Sequence, residues 1–279
     1  MKLPTISLIT PTRNQAAYLG ETIASVRVQD YAPIEWIVVD GMSTDATPEI
    51  LAGITDMPGL RVIREPDSGQ SDAIDKGMKM ATGEIVGWLN SDDLLLPGAL
   101  RAVAEAFARH PAAVAVYGAG RKIDAAGALL KSVPARPFDR ERLRTALYML
   151  QPATFFRRTA YLEVGGLDHA LHYAMDWELL LRLSHRGEIS AIEQELACLR
   201  CYPGTKTEEG GWERLAEIAR IGRRFHGSFD PNHISYVLRR AASGIDLPLV
   251  RRAIDHLLWR MYRRQNLMVV GWPPGRPRA

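Results

Sequence analysis

The chain has 279 residues, of which 47% are apolar and 24% charged, with a net charge of +3. These values fit an ordinary globular protein of one or two domains, long enough to bury a core without disulfides, and a charge this small selects no class of partner. Two cysteines, Cys198 and Cys201, argue against a secreted disulfide scaffold; no second pair completes a four-ligand zinc site, and in a strand residues three apart face opposite ways.

Residues 3–10 read as a strand, 11–14 as a turn, and 15–29 as a helix on the spacing of Leu19, Ile23 and Val26. A buried strand at 34–39 ends in Asp40-Gly41-Met42-Ser43-Thr44-Asp45, before a short helix at 47–54 with Pro48 near its start. A third strand at 60–64, a loop at 65–71, a helix at 72–81 and a fourth strand at 84–89 follow. This alternation predicts a parallel sheet with right-handed crossovers. Each strand ends in polar residues, and in a parallel sheet those ends share one edge, where open α/β sheets bind ligands.

The fourth strand opens the stretch EIVGWLNSDDLLL, residues 84–96. Its apolar run stops at Asn90, Ser91, Asp92 and Asp93. Two adjacent carboxylates repel each other and favour a cation beside them. Oxygen ligands suit Mg²⁺ or Mn²⁺; a plain polar turn is the other reading. Neither G-x-G-x-x-G nor G-x-x-x-x-G-K-[ST] occurs, so a bound phosphate needs another counter-charge, which a metal on Asp92 and Asp93 would supply.

Downstream come a helix at 97–110, a strand at 113–117, a hairpin at 121–133, a helix at 139–149, a short strand at 152–156 and a helical turn at 158–164. A loop at 165–168 precedes a helix at 174–186 with Asp176 and Glu178 at its start, where acids also complement the helix dipole. Two strands, 188–192 and 195–202, and a polar loop, 203–211, lead to three helices at 212–226, 231–242 and 248–264. Arginines recur on those helices, as a solvated face or as a peripheral contact with an anionic membrane or a phosphate-bearing acceptor. No motif for nucleic acid accompanies them. The amino terminus does not read as a signal peptide, and no apolar run approaches the roughly 20 residues of a spanning helix. A cytoplasmic protein, soluble or peripheral at the inner face of the membrane, is expected.

Four blocks together resemble the family 2 glycosyltransferases of the GT-A fold: ISLITPTRNQAAYLGETIASVRVQDY, IEWIVVDGMSTDAT, SGQSDAIDKGMKMATGEIVGWLNSDD and GGLDHALHYAMDWELLLRL. The resemblance implies an α/β GT-A (Rossmann-like) domain over 1–207, with a mostly parallel central sheet and flanking helices. Its nucleotide-sugar half would be 1–110 and its acceptor half 111–207, and a basic helical C-terminal extension, 208–279, would follow. It implies that Thr10, Pro11, Thr12 and Arg13 border the nucleotide base, that Asp40 accepts a hydrogen bond from a uracil-type ring with Ser43 nearby, and that Asp72 faces the donor with Lys76 in support. Asn90, Ser91 and Asp92 occupy the metal motif, with Asp93 beside them. Asp176 stands where the family places its catalytic base; Trp177, Glu178 and Gln151 border the acceptor.

Three departures stand out. Asn90 replaces the first Asp of the metal motif, Met175 replaces the Glu before the base, and Tyr202 replaces a His, so that His's role falls to Lys206 or to no residue. The expectation is a Mn²⁺- or Mg²⁺-dependent, inverting transfer from a nucleotide diphosphate sugar, most simply a UDP-sugar, to a hydroxyl of a glycan or lipid-linked acceptor. Two rivals remain. A sugar-phosphate nucleotidyltransferase would need a Gly-rich basic loop after the first strand, and 10–15 holds no Gly. A non-catalytic sugar-nucleotide-binding protein would bind donor without transfer.

Overall fold

The four strands and three helices expected up to residue 89 form as expected, in a computed structural model that describes residues 3–226. They are β1 (Ile6–Thr12), α1 (Ala16–Arg27), β2 (Ile34–Asp40), α2 (Thr47–Ala52), β3 (Leu60–Arg64), α3 (Gln70–Met80) and β4 (Ile85–Trp88). Strands β3, β2, β1 and β4 lie side by side and parallel. β1 runs on through Pro11 and Thr12, which the sequence reading assigned to a turn.

The rest of the chain is β5 (Leu94–Leu95), α4 (Ala99–Arg109), β6 (Ala113–Ile123), β7 (Leu129–Val133), α5 (Arg140–Thr145), a 3-10 turn (Gln151–Ala153), β8 (Thr154–Arg157), α6 (Arg158–Glu163), α7 (Met175–Ser184), β9 (Glu188–Arg200), α8 (Lys206–Glu209) and α9 (Gly211–His226). The sheet continues from β4 to β8, β6, β9 and β5, with β7 paired to β6. β8 runs antiparallel to β4 and to β6, and β9 parallel to β6, so the sheet is parallel in its first half and mixed across its second.

The two strands expected at 188–202 are one strand of 13 residues. Glu193 and Gln194 look like a turn in sequence, but they are absorbed where the β6–β9 register shifts between Gly118 and Ala119. β6 permits the shift because a Cβ on Gly118 would fall 2.5 Å from Leu196 Cγ, and one on Gly120 2.6 Å from the Ala197 carbonyl oxygen.

Side chains alternate across the sheet into two apolar layers. Ile9, Trp88 and Phe156 join Tyr161, Trp177 and Leu179 on one side; Leu8, Leu89 and Phe155 join Leu19, Trp36 and Phe107 on the other. α9 belongs to the first layer: Ile221 is buried within it, and Ile218 and Phe225 pack against it. The start of the C-terminal extension is therefore part of the packed body. The two further basic helices expected at 231–242 and 248–264 lie outside the described residues. Among those residues no helix is long and apolar enough to cross a membrane.

Candidate active site

The loops that follow β1 and β2 are locked together. Asn14 donates its backbone N–H to Ser43 Oγ and accepts the Thr44 N–H at Oδ1, each at 2.8 Å. The Ala16 N–H donates to Asp45 Oδ2 and the Gln15 N–H to Thr47 Oγ1, both at 3.0 Å. The exposed first-turn donors of α1 are thus satisfied by the neighbouring loop rather than by a cap of its own. Asn14 and Met42 adopt φ of 53° and 62°, left-handed backbone that costs a non-glycine residue roughly 1–3 kcal/mol. Gly41 lies close against the loop after β3: a Cβ there would fall 2.1 Å from Asp67 Oδ2, so the Asp67 side chain would have to move.

Asp40 is fully buried. Its Oδ1 accepts from the amide and hydroxyl of Ser43, and its Oδ2 accepts from Arg64 Nε at 3.1 Å. The β2–β3 register sets Asp40 beside Arg64, whose Nη2 also donates to the Ser43 carbonyl at 2.9 Å. Thr10 does not border an open pocket as expected, because it is buried and its Oγ1 accepts from Trp36 Nε1 at 2.9 Å. Pro11 is buried and Arg13 exposed. Thr12 Oγ1 is buried with no protein partner, an arrangement that costs about 1–3 kcal/mol unless a ligand or water answers it. Asp72 accepts the Ser68 N–H at 2.9 Å, which holds its carboxyl below the usual range, and lies 3.5 Å from Lys76 Nζ. Lys76 also pairs with Glu65 at 3.2 Å.

The Asn90–Asp93 turn is where the sequence and the structure part. Asp93 is 1% exposed. Its Oδ1 accepts the Arg200 N–H at 2.9 Å and its Oδ2 accepts Asn90 Nδ2 at 3.0 Å. Burial and then the charge of Asp92 push its carboxyl well above the usual range. Asp92 is half-buried, and burial raises it too; Tyr202 OH donates to its Oδ2 at 2.9 Å. The expected grip by two carboxylates therefore narrows to one. Asp93 is turned inward, sealed from a ligand by its burial, and braces the turn through both oxygens, and Ser91 is buried within it. Among the described residues no cluster of three or more His, Cys, Asp or Glu side chains gathers. One carboxylate fits an ion that takes its remaining ligands from a diphosphate and water, and a carboxylate oxygen engaged by one hydroxyl keeps lone pairs to offer.

From this turn a line of hydrogen bonds crosses to the other half. Asn90 Oδ1 accepts from Gln70 Nε2 at 2.7 Å, Gln70 Oε1 accepts from Lys206 Nζ at 3.0 Å, and Lys206 Nζ donates to the His172 carbonyl at 3.2 Å. Desolvation lowers the Lys206 ammonium to about 8. Gln151 borders the same turn, accepting from Asn90 Nδ2 at 3.3 Å and donating to the Trp88 carbonyl at 2.8 Å. The amino ends of α3 and α7 also meet, where Ser71 Oγ donates to Met175 Sδ at 2.7 Å.

Asp176 sits in the first turn of α7, half-buried, its Oδ1 accepting the Trp177 N–H at 2.8 Å. Burial raises its carboxyl above the usual range, and the Trp177 amide and the charge of Arg214 draw it partly back. Its two neighbours are not at an acceptor surface. Trp177 is a core residue, 4% exposed, whose Nε1 donates to the Leu143 carbonyl at 2.6 Å. Glu178 is fully buried and pairs with Arg182 at 2.6 Å and Arg224 at 3.1 Å. The acid that looked like a binding residue is an internal brace.

Over residues 7–164 the chain matches the model of the Glycosyl transferase family 2. It belongs to that family. It is 31% identical over 188 residues to a PGL/p-HBAD biosynthesis glycosyltransferase of Mycobacterium tuberculosis, covering 65% of this chain and 70% of that one. It is 27% identical over 195 residues to a chondroitin synthase of Pasteurella multocida, covering 69% of this chain and 20% of that protein. The chain spans well under a third of the length of that synthase and of the similar hyaluronan synthase. In fold it is similar to S. aureus TarS 1-349 in complex with UDP-GlcNAc, with a TM-score of 0.66 and 19% identity over 86% of this chain and 73% of that one. It is also similar to mannosyltransferase PcManGT from Pyrobaculum calidifontis in complex with GDP-Man and Mn²⁺, with a TM-score of 0.56 and 22% identity over 92% and 69%.

Several residues that organise this family 2 site escaped the sequence reading. Arg200, 3% exposed, donates from Nε to the Asp92 carbonyl at 2.9 Å and pairs through Nη2 with Glu21 at 2.7 Å. Its guanidinium also lies over the Tyr18 ring. It fastens the Asp92–Asp93 turn to α1. Arg64 could have been found from its place at the end of β3, level with Asp40. Glu217 on α9 carried no signal at all, being one of two acids on a helix that is otherwise basic and apolar.

Proposed function

We propose that the chain transfers a hexosyl group, with inversion, from a nucleotide diphosphate sugar to an acceptor hydroxyl. The observation that carries this reading is the hydrogen-bonded line from the Asn90–Asp93 turn through Gln70 and Lys206 to the loop before Asp176. It ties the turn that carries Asp92 to the loop that precedes a desolvated candidate base. UDP is the favoured nucleotide, supported by the UDP-GlcNAc complex of the structural relative. Thr12, with its unanswered hydroxyl, and Arg13 border the base; Asp40, with Arg64, shapes that pocket from beneath.

In the reaction the acceptor hydroxyl oxygen bonds to the anomeric carbon while Asp176 takes its proton. The bond from that carbon to the diphosphate breaks, and the electron pair leaves with the diphosphate. A positioned carboxylate base contributes about 10²–10⁴-fold. Asp176 suits the role because burial favours its protonated form, which strengthens it as a base. Lys206 bridges Gln70 and the His172 carbonyl and supplies positive charge toward the leaving group. Where a Mn²⁺ or Mg²⁺ ion is bound through Asp92, it supplies Lewis-acid stabilisation of the leaving diphosphate. Relatives in chondroitin, O-antigen and PGL/p-HBAD biosynthesis support a cell-surface glycan or lipid-linked acceptor. A cytoplasmic site of action, with peripheral membrane contact through the basic C-terminal segment, goes with such an acceptor.

The test is a thermal-shift and calorimetric screen of UDP, GDP, UDP-GlcNAc and GDP-mannose with and without Mn²⁺. The reading expects one diphosphate series to bind, with Mn²⁺ tightening it in the wild type and not in Asp92→Ala. Absence of binding by all four would overturn it, and binding indifferent to Mn²⁺ in both proteins would remove the metal. Binding with no release of nucleotide, in the presence of acceptor extract, would favour a non-catalytic sugar-nucleotide-binding role.

A further inference from the structure

Helix α9 begins beyond the stretch that matches the family, which ends at residue 164, yet it reaches into the site. Glu217, 6% exposed, points its carboxylate at the turn that launches α7. Oε1 accepts the His172 N–H at 2.6 Å; Oε2 accepts the Tyr173 N–H at 2.7 Å and the Ala174 N–H at 3.2 Å. Three consecutive amides are held by one side chain, and Ala174 is the residue that caps α7. The opposite face of the same turn is held by Lys206, on the His172 carbonyl. Glu213, one turn before Glu217, accepts from Tyr173 OH at 3.2 Å. Asp176 itself receives from the protein only local restraint among the bonds described above, the amide of its neighbour Trp177. Its place in space is set by where this turn is held.

We infer that Glu217 is a positioning residue for the base: by gripping the 172–174 turn, the first helix after the glycosyltransferase core completes the active site and fixes Asp176 against the donor. The inference rests on Asp176 being the base, as proposed above. A shift of the order of 1 Å in a reacting group costs about 10²-fold in rate, so the grip is worth that much only if the base is what moves.

The test uses the full chain and four proteins: wild type, Glu217→Ala, Glu217→Gln and Asp176→Asn. UDP affinity is read by calorimetry, and turnover by release of UDP from UDP-GlcNAc, or of GDP from GDP-mannose if GDP binds better. The pH profile of turnover is recorded for each active variant. Glu217→Ala is expected to lower kcat by about 10²-fold while the nucleotide Kd stays within about twofold. Glu217→Gln keeps one acceptor oxygen but turns its amide hydrogens on the others, folds if the alanine variant does not, and falls between. The acid limb of the profile should move down in both, because a loosened turn admits water to Asp176. The charged group acting on that carboxyl is Arg214 of α9, and it is not altered. Unchanged kcat and pH profile in both Glu217 variants would overturn the inference. So would a loss of turnover matched by an equal loss of nucleotide binding, which marks a merely structural role. If Asp176→Asn turns over normally, the base assignment itself fails; if it is silent while the Glu217 variants are normal, only the inference fails.

Discussion

The two sides of the site are built differently. On the donor side, the contacts at the ends of β1, β2 and β3 join neighbouring parallel strands and the loops that follow them: Asn14 with Ser43 and Thr44, Asp40 with Arg64, Gly41 with Asp67. On the base side, Asp176 is surrounded by pieces drawn from far along the chain: Leu143 beneath Trp177, Lys206 and Glu217 around residues 172–174, Arg224 on Glu178. Strand order alone delivers the first kind of site, whereas the second forms only when long loops close and a late helix docks. The donor side should therefore tolerate change residue by residue, and the base side should respond as a unit.

Asp176→Asn is the largest expected break. Turnover should fall by about 10²–10⁴-fold with nucleotide binding unchanged. In the wild type, activity should be lost on acidification, since the base must be ionised, and its acid limb should lie above the ordinary carboxylate value because burial raises it. An acid limb at or below that value would contradict the buried setting. Next comes Glu178→Ala, which leaves the largely buried Arg182 without its carboxylate partner, while the exposed Arg224 keeps Asp168. It should cost about 3–5 kcal/mol of stability by urea unfolding, where Asp72→Ala, from a part-exposed pair on the donor side, should cost no more than about 1 kcal/mol. Similar losses at both positions would erase the contrast between the two sides.

Lys206→Met sharpens the link between them. It should weaken UDP by about tenfold and leave uridine unaffected, since a hydrogen bond to a charged group is worth about 1.5–3 kcal/mol. In the wild type the same affinity should decline as pH rises through about 8, where the ammonium loses its proton; the methionine variant should show no such decline. The smallest effect is at Thr12. Thr12→Val removes a buried hydroxyl that has no protein partner, so stability should stay level or rise by under about 1 kcal/mol. UDP affinity should drop a few-fold if the nucleotide answers that hydroxyl.

The strand ends that hold the donor site were legible in the chain because a parallel alternation of strands and helices puts all carboxyl ends on one edge. Which side chains face that edge was not legible. Thr10 and Thr12 share a face of β1, yet one is engaged by Trp36 and the other is unpartnered. Asp92 and Asp93 are indistinguishable as letters, and only the return of β9, with the Arg200 amide beside Asp93, turns one inward. Trp177 and Glu178 followed the base in sequence and were read as its neighbours in function. On a helix, however, successive residues point about 100° apart, so the positions after Asp176 fall on the buried side of α7.

The amino-acid sequence by itself determined the family, the alternation of parallel strands with helices, and the positions of Asp92 and Asp176, because these rest on local patterns of apolar runs, turns and helix starts. The tertiary structure decided the rest: which of two adjacent carboxylates remains for a ligand, that Glu178 is a buried brace, and that Glu217 holds the turn before the base. Those outcomes depend on contacts between residues far apart in the chain, and such contacts are settled by how the sheet closes and α9 packs rather than by any residue's near neighbours.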